Sequence, residues 1–159
     1  VSMLRQPVLL AFSTASSEAA YPMTLEQVER FGCKNKIASF VLPVGYSFNL
    51  DGSMMYCSFA AIFIAQVYSI QMEFTQQLMM LLVLMITSKG IAGVPRASLV
   101  VIAATLSQFN LPEAGVLLIL GVDHFLDMAR SATNVLGNGL ATAVISKWEG
   151  ELDPHQTNP

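Results

Sequence analysis

Charge is what this sequence has least of: Asp, Glu, Lys and Arg make up 12% of its 159 residues, against about 25% in an ordinary water-soluble domain. Hydrophobic residues make up 53%, and the solvent that suits this composition is lipid. Basic residues are scarce too. Lys and Arg total 8, dispersed along a chain of net charge −3, so no basic stripe follows a phosphate backbone and nucleic acid is excluded as a partner. Cysteine is limited to Cys33 and Cys57, without C-x-x-C spacing. That excludes a disulfide framework and a structural zinc site, and leaves two small apolar side chains. A leader is not legible either: the apolar stretch at residues 7–12 after Arg5 is too short for a signal peptide and no Met opens the chain. The start reads as the middle of something longer.

Long apolar runs are also few. Uncharged stretches cover residues 37–50, 52–72, 74–88, 97–111 and 114–122, and only residues 52–72 suffice to cross ~30 Å of hydrocarbon as one uninterrupted helix. Shorter runs are expected of re-entrant hairpins or broken helices, which survive at membrane depth only around protein or a water-filled cavity. The pattern occurs twice. A short apolar segment turns at residues 13–17, and the helix after it is interrupted at Asn49-Leu50-Asp51-Gly52. A second segment turns at residues 90–95 and is followed by a helix with polar residues between 123 and 138. Paired interruptions of this kind point to a transporter's substrate site. Between the halves, residues 24–36 are the most charged stretch, read as an interfacial helix end and loop with Thr24 and Gln27 as a capping box. Lys147-Trp148-Glu149 marks an exit from the membrane with Trp148 at headgroup level, and the last residues form a tail.

Three constellations carry chemistry. Asp123, Asp127, Arg130, Ser131, Asn134 and Asn138 recur at helical spacing and share a face about 100° wide. Phe125, Leu126, Met128, Ala129, Ala132, Val135 and Leu136 are expected on the opposite face. Each ionised side chain facing lipid would cost ~2.5–3.5 kcal/mol, so these three must face protein, water or ligand. The plainer reading pairs Asp127 with Arg130 at i, i+3. Second, Asn49-Leu50-Asp51-Gly52-Ser53 puts a carboxylate, an amide and a glycine in an apolar helix, freeing carbonyls for a small hard cation such as sodium; an ordinary interhelical turn reads the same way. Third, Ser13-Thr14-Ala15-Ser16-Ser17-Glu18 precedes a helix whose free N–H groups suit a carboxylate, although serine-rich helix starts are common.

With those segments in hand, the chain resembles the dicarboxylate/amino acid:cation symporter family of bacterial glutamate and aspartate transporters and their animal relatives, over residues 9–153. The resemblance implies an all-α membrane protein holding part of a transport domain, with two re-entrant helical hairpins and two interrupted transmembrane helices in a pseudo-repeat. Residues 1–33 would be a first re-entrant hairpin, 34–72 an interrupted transmembrane helix, 73–112 a second re-entrant hairpin, 113–148 the last transmembrane helix and 149–159 a C-terminal tail. It also implies six earlier scaffold helices, a homotrimer in the full-length family, and residence in the bacterial inner membrane as a multi-pass protein in the lipid bilayer. The implied substrate is an acidic amino acid, the coupling ions are sodium or protons, and no organic cofactor is implied.

Motif by motif, the resemblance implies that Ser16 and Ser17 receive a substrate carboxylate at the first tip. Ser53 would contact the side-chain carboxylate, with Val94 and Ser98 near the substrate. Asp127 would accept the substrate ammonium and Arg130 clamp the side-chain carboxylate, with Ser131 and Asn134 as further polar contacts. Gly45, Ser47, Asn49, Asp51, Ser88, Lys89, Ile91, Asn134 and Asn138 would hold sodium, several through backbone carbonyls. Asp127 tips the choice toward glutamate or aspartate over a plain C4-dicarboxylate, because an Asp can only accept from a cation whereas Arg forks onto a carboxylate. Four departures stand out. Ala15 replaces the first tip serine, and Arg96 stands where a small residue is common. Asn138 stands where relatives have a sodium-binding Asp, and Cys57 where animal members have a proton-linked Glu.

Two rival classes are weaker. A soluble helical interaction module would partition into buffer without detergent. An enzyme built on Ser16 or Ser17 with His124 lacks a nucleophile elbow around either serine, and a metal reading of Asp123, His124 and Asp127 places His124 about 100° around the helix from Asp123.

Overall fold

The computed structural model describes residues 2–91 and 97–153. Among these the chain is helical: α1 (Arg5–Thr14), α2 (Tyr21–Arg30), α3 (Asn35–Phe48), α4 (Asp51–Val67), α5 (Phe74–Thr87), α6 (Ala97–Gln108), α7 (Val116–Leu120) and α8 (Asp123–Trp148), with short 3-10 turns at Ser2–Leu4, Ser88–Ile91 and Glu113–Gly115. No strand occurs among the described residues, which hold a single isolated bridge, Cys33 to Leu152.

α8 is the axis, with α1, α3 and α4 packed along it. Its sequence explains this. Asp123, Asp127, Ser131, Asn134, Asn138, Thr142 and Ser146 recur every three or four residues and are all buried, while Phe125 and Trp148 are 68% and 80% exposed. The chain is thus polar inside and apolar outside along this helix, the reverse of a water-soluble bundle. Large apolar side chains also point outward elsewhere, including Phe40, Phe59, Phe74, Ile86 and Val100. Behind α4 lies an apolar core in which Ala60, Ala61 and Ile64 meet Met80 and Leu84 of α5, Ile102 and Leu106 of α6, and Ile119 of α7. Val135, expected on the apolar face opposite the polar one, does not share the exposure of Phe125. It is fully buried against Ala11 and Ala20 of the first helix pair, because that pair covers the flank next to Asn134.

Two other local expectations are corrected. Thr24 caps nothing: it is buried inside α2, where its hydroxyl donates to the Ala20 carbonyl at 2.7 Å, and Pro22 starts the helix instead. A reciprocal capping box does exist at Glu73 and Gln76 of α5. The run at residues 52–72 is not one helix, since α4 stops at Val67 and Ser69 takes a left-handed turn (φ 55°). Taken together, Asn35–Val67 is, among the described residues, the one segment long and apolar enough to cross a membrane by length and composition, with mean hydropathy 1.3 over its best window. Residues 113–148 hold two helices, α7 and α8, separated at Gly121 and Val122.

The end of α8 is fastened to the base of the first helix pair. Asp153 N–H donates to the Gly32 carbonyl at 2.9 Å and Lys34 N–H to the Glu151 carbonyl at 3.3 Å, while the Glu151 carboxylate takes both Lys34 and Lys36. Hydrogen bonding from Lys34 and then Lys36 holds the Glu151 carboxyl below the ordinary glutamate value of 4.5. A depressed folded-state value means the clasp's contribution is full above the unfolded value and is lost as pH falls through the folded one. Glu151→Gln should therefore speed hydrogen exchange at the Lys34 and Asp153 amides near neutral pH, with little change in the same comparison at pH 3. Equal exchange in both proteins at neutral pH would remove Glu151 from the clasp.

Candidate functional site

The site is assembled where α3 gives way to α4. Proline at position 43 and then Asn49 and Leu50 (φ −101° and −102°, ψ 68° and 56°) end one helix and start the next. The start of α4 lies directly on the middle of α8. Gly52 makes that approach possible: a β-carbon there would sit 2.4 Å from the Arg130 carbonyl oxygen. Its N–H donates to Asn134 Oδ1 at 2.9 Å.

Around this contact the polar side chains converge. Arg130 Nε donates to Asp127 Oδ1 at 2.6 Å, with the two side chains only 11% and 8% exposed. The same guanidinium reaches across to Ser53 Oγ at 3.1 Å, which also accepts from Asn134 Nδ2 at 3.2 Å. Asp127 and Arg130 therefore do pair at i, i+3, and the pair is built into a network with the neighbouring helix. The Ser131 hydroxyl is fully buried without a hydrogen-bond partner among the described residues, an unusual condition for a buried polar group.

One turn along, a second cluster joins α3, the break and α8. The Asn49 amide lies 3.0 Å from Asn138 Oδ1. With its nitrogen turned the other way it donates to both carboxylate oxygens of Asp51 at 3.1 Å. Gly45 lies against Asn138, since a β-carbon on it would come within 2.6 Å of Oδ1, and Gly137 faces Asp51 Oδ2 at 2.9 Å by the same measure. A carboxylate, two amides and freed helix carbonyls are hard oxygen donors of the kind that suits a small cation. The second break also reaches this region, as the Lys89 ammonium donates to the Phe48 carbonyl.

Not every expected residue joins. Ser16 and Ser17 sit in the turn between α1 and α2, where the bonds made by Ser16 are local: its N–H to the Ala11 carbonyl at 3.2 Å and its hydroxyl accepting from Ala19 N–H at 3.3 Å. Ala15 makes this turn in the left-handed region (φ 50°), unusual for a residue with a β-carbon. Ser47 is exposed on α3. Ser88 is fully buried, its hydroxyl near the Met85 carbonyl at 3.4 Å, Ile91 ends the 3-10 turn, and Ser98 is buried in the first turn of α6. Val94 and Arg96 lie outside the described residues. His124 is exposed, edge-on to Phe125, whereas Asp123 beside it is 2% exposed.

Sequence reading missed Tyr56. Its hydroxyl donates to Asp123 Oδ1 at 2.6 Å in the buried interface, one turn beyond Ser53. A lone tyrosine three residues after Ser53 in an apolar helix was the available signal. Beside the network, a cavity of about 540 Å³ touches Gly52, Tyr56, Arg130 and Thr133 and is otherwise walled by apolar groups such as Met55, Phe59, Phe63 and Leu126. Asp127, Ser53 and Asn134 do not line it.

Residues 1–148 match the sequence model of the sodium:dicarboxylate symporter family. The chain belongs to that family. Curated symporters similar to it include the proton/sodium-glutamate symport protein of Geobacillus stearothermophilus, 56% identical over 96% of this chain and 36% of its own length. The counterpart in Bacillus subtilis (strain 168) is 50% identical over 97% of this chain and 36% of its own. The proton/glutamate-aspartate symporter of Escherichia coli (strain K12) is 53% identical over 96% and 35% respectively. The chain thus spans little more than a third of the symporters it matches.

Proposed function

We propose that these residues form the substrate-carrying part of an ion-coupled symporter for acidic amino acids, glutamate or aspartate. The observation that carries this reading is the buried Asp127–Arg130 pair bonded across to Ser53, and the glutamate and aspartate symport for which the relatives are named supports it. A zwitterionic substrate with a second carboxylate matches the pair charge for charge. Its ammonium goes to Asp127 and its side-chain carboxylate to the fork of Arg130 with Ser53 beside it, so neither buried charge is left alone. The α-carboxylate goes to the first tip, to the backbone N–H of Ser17 and the hydroxyl of Ser16, with Ser131, Asn134, Ser98 and Val94 completing the enclosure.

In this reading α1–α2 and α5–α6 are the two re-entrant hairpins of a pseudo-repeat. Helices of 10 to 14 residues rise only ~15–21 Å at 1.5 Å per residue, short of ~30 Å of hydrocarbon. The second hairpin closes over substrate and cations near the midplane, and the unit then moves against scaffold helices of the full-length trimer in the bacterial plasma membrane. A coupling cation sits between Asn49, Asp51, Asn138 and the carbonyl of Gly45, and a second position able to hold positive charge lies among the carbonyls of Ser47, Ser88, Lys89 and Ile91. Each net charge carried inward at 100 mV contributes ~2.3 kcal/mol, about 50-fold accumulation.

Asp127→Ser tests the substrate class in a full-length transporter carrying these residues. Discrimination of glutamate against a dicarboxylate lacking the amino group should fall by roughly 10- to 100-fold, the loss of one charge-assisted hydrogen bond. Radiolabelled uptake with succinate as competitor reads it. Undiminished preference for the amino acid would remove Asp127 from ammonium recognition and favour a C4-dicarboxylate symporter.

A further inference from the structure

The end of α3 poses an electrostatic question that its own residues do not answer. Its last backbone bond runs from Asn49 N–H to the Gly45 carbonyl at 2.7 Å, so the carbonyls of Tyr46, Ser47 and Phe48 leave the ladder at the negative end of the helix. α3 brings no basic residue to its last turn. What meets this end is Lys89, from the 3-10 turn Ser88–Ile91 that follows α5, whose ammonium donates to the Phe48 carbonyl. The contact spans 41 residues of sequence. Ser88 beside it is fully buried, so the backbone that carries Lys89 is held against the bundle.

A carbonyl-lined helix end is neutralised equally well by a bare cation or by a tethered ammonium, and the two compete for the same oxygens. We propose that the Lys89 side chain is a built-in cation that takes the place of a sodium ion between the α3 end and the second helix pair. It thereby joins those two elements without drawing on the ion gradient. This deepens the symporter reading and rests on it: Lys89 becomes a residue that sets ion specificity through its ammonium, not only a donor of a backbone carbonyl. Asp51 is engaged with Asn49, and Arg130 with Asp127 and Ser53, and the cation on the Phe48 carbonyl is Lys89.

The test uses Lys89→Met and Lys89→Ala in the full-length transporter, reconstituted with choline as the only other cation. Glutamate uptake in sodium-free buffer under a proton gradient should fall about 10- to 100-fold, as expected for one hydrogen bond to a charged group at a helix end. Added sodium should restore it in both variants, as should methylammonium in Lys89→Ala, while the wild type gains less than twofold from either. Lys89→Arg should keep sodium-free uptake. Loss that neither sodium nor methylammonium repairs, or variants that match the wild type without sodium, would overturn the proposal. A second readout is independent of transport: the melting temperature of the purified protein should rise with sodium over choline more in Lys89→Met than in the wild type, and equal shifts would also overturn it. Should the wild type itself take up no glutamate, the substrate assignment fails while the melting comparison still decides the role of Lys89. A Lys89→Met protein that folds only in sodium supports the proposal, and one that folds in neither buffer while Lys89→Arg requires sodium contradicts it.

Discussion

Arg130→Ala should abolish accumulation of glutamate, lowering uptake by at least about 100-fold, while the protein still inserts in the membrane. The guanidinium holds Asp127 at 2.6 Å and Ser53 at 3.1 Å, so its removal strands a carboxylate that is 8% exposed. Breaking a buried pair from one side costs about 3–5 kcal/mol, and the fork for the substrate carboxylate goes with it. Two effects are therefore superimposed, and a second variant separates them. Asp127→Asn combined with Arg130→Ala removes the stranded charge and should recover thermal stability, yet uptake should stay lost. Arg130→Lys restores a charge without the planar fork and should recover only part of the rate. Uptake by Arg130→Ala within threefold of the wild type would take Arg130 out of the site.

Gly52→Val should be nearly as damaging, through geometry and not charge. A β-carbon at this position would stand 2.4 Å from the Arg130 carbonyl oxygen and 3.0 Å from the Thr133 β-carbon, and backbone cannot move aside as a side-chain tip can. The start of α4 must lift off α8, which costs about 1–3 kcal/mol of overpacking. It also separates Ser53 from Arg130 and the Gly52 N–H from Asn134. Misplacement by ~1 Å is enough to reduce a positioned reaction about 100-fold, and a comparable loss of glutamate uptake is expected, with a lower melting temperature. Preserved uptake and melting would show that the α4–α8 contact is not needed for binding.

How much of this was legible in the sequence depended on whether the signal was local. The polar face of α8 was readable because its residues recur with the period of one helix, and their burial follows from the cost of charge in lipid. The break at Asn49 was readable for the same reason, as a turn sequence inside an apolar run. Pairings between distant segments were not. Tyr56 and Asp123 lie 67 residues apart, and nothing near either names the other. The Lys89 contact with Phe48 was hidden because one partner is a backbone carbonyl, which has no sequence signature. Thr24 read as a cap because Gln27 follows at the right spacing, but a threonine can instead bond back to the carbonyl four residues earlier within a helix. The full burial of Val135 was not legible, because periodicity defines a helix face without saying how far a neighbour wraps around it. The exact place of the break at Gly121 and Val122 was not legible, because a single glycine at the end of an uncharged run is common inside helices as well as between them.

The most direct measurement is uptake of radiolabelled glutamate by the full-length transporter in proteoliposomes, with sodium and proton gradients imposed one at a time. Accumulation against the gradient under at least one of them, blocked by aspartate far more strongly than by succinate, is the result expected if Asp127 and Arg130 read an ammonium and a carboxylate together. Equilibration without concentration under either gradient, or equal inhibition by succinate and aspartate, would contradict it.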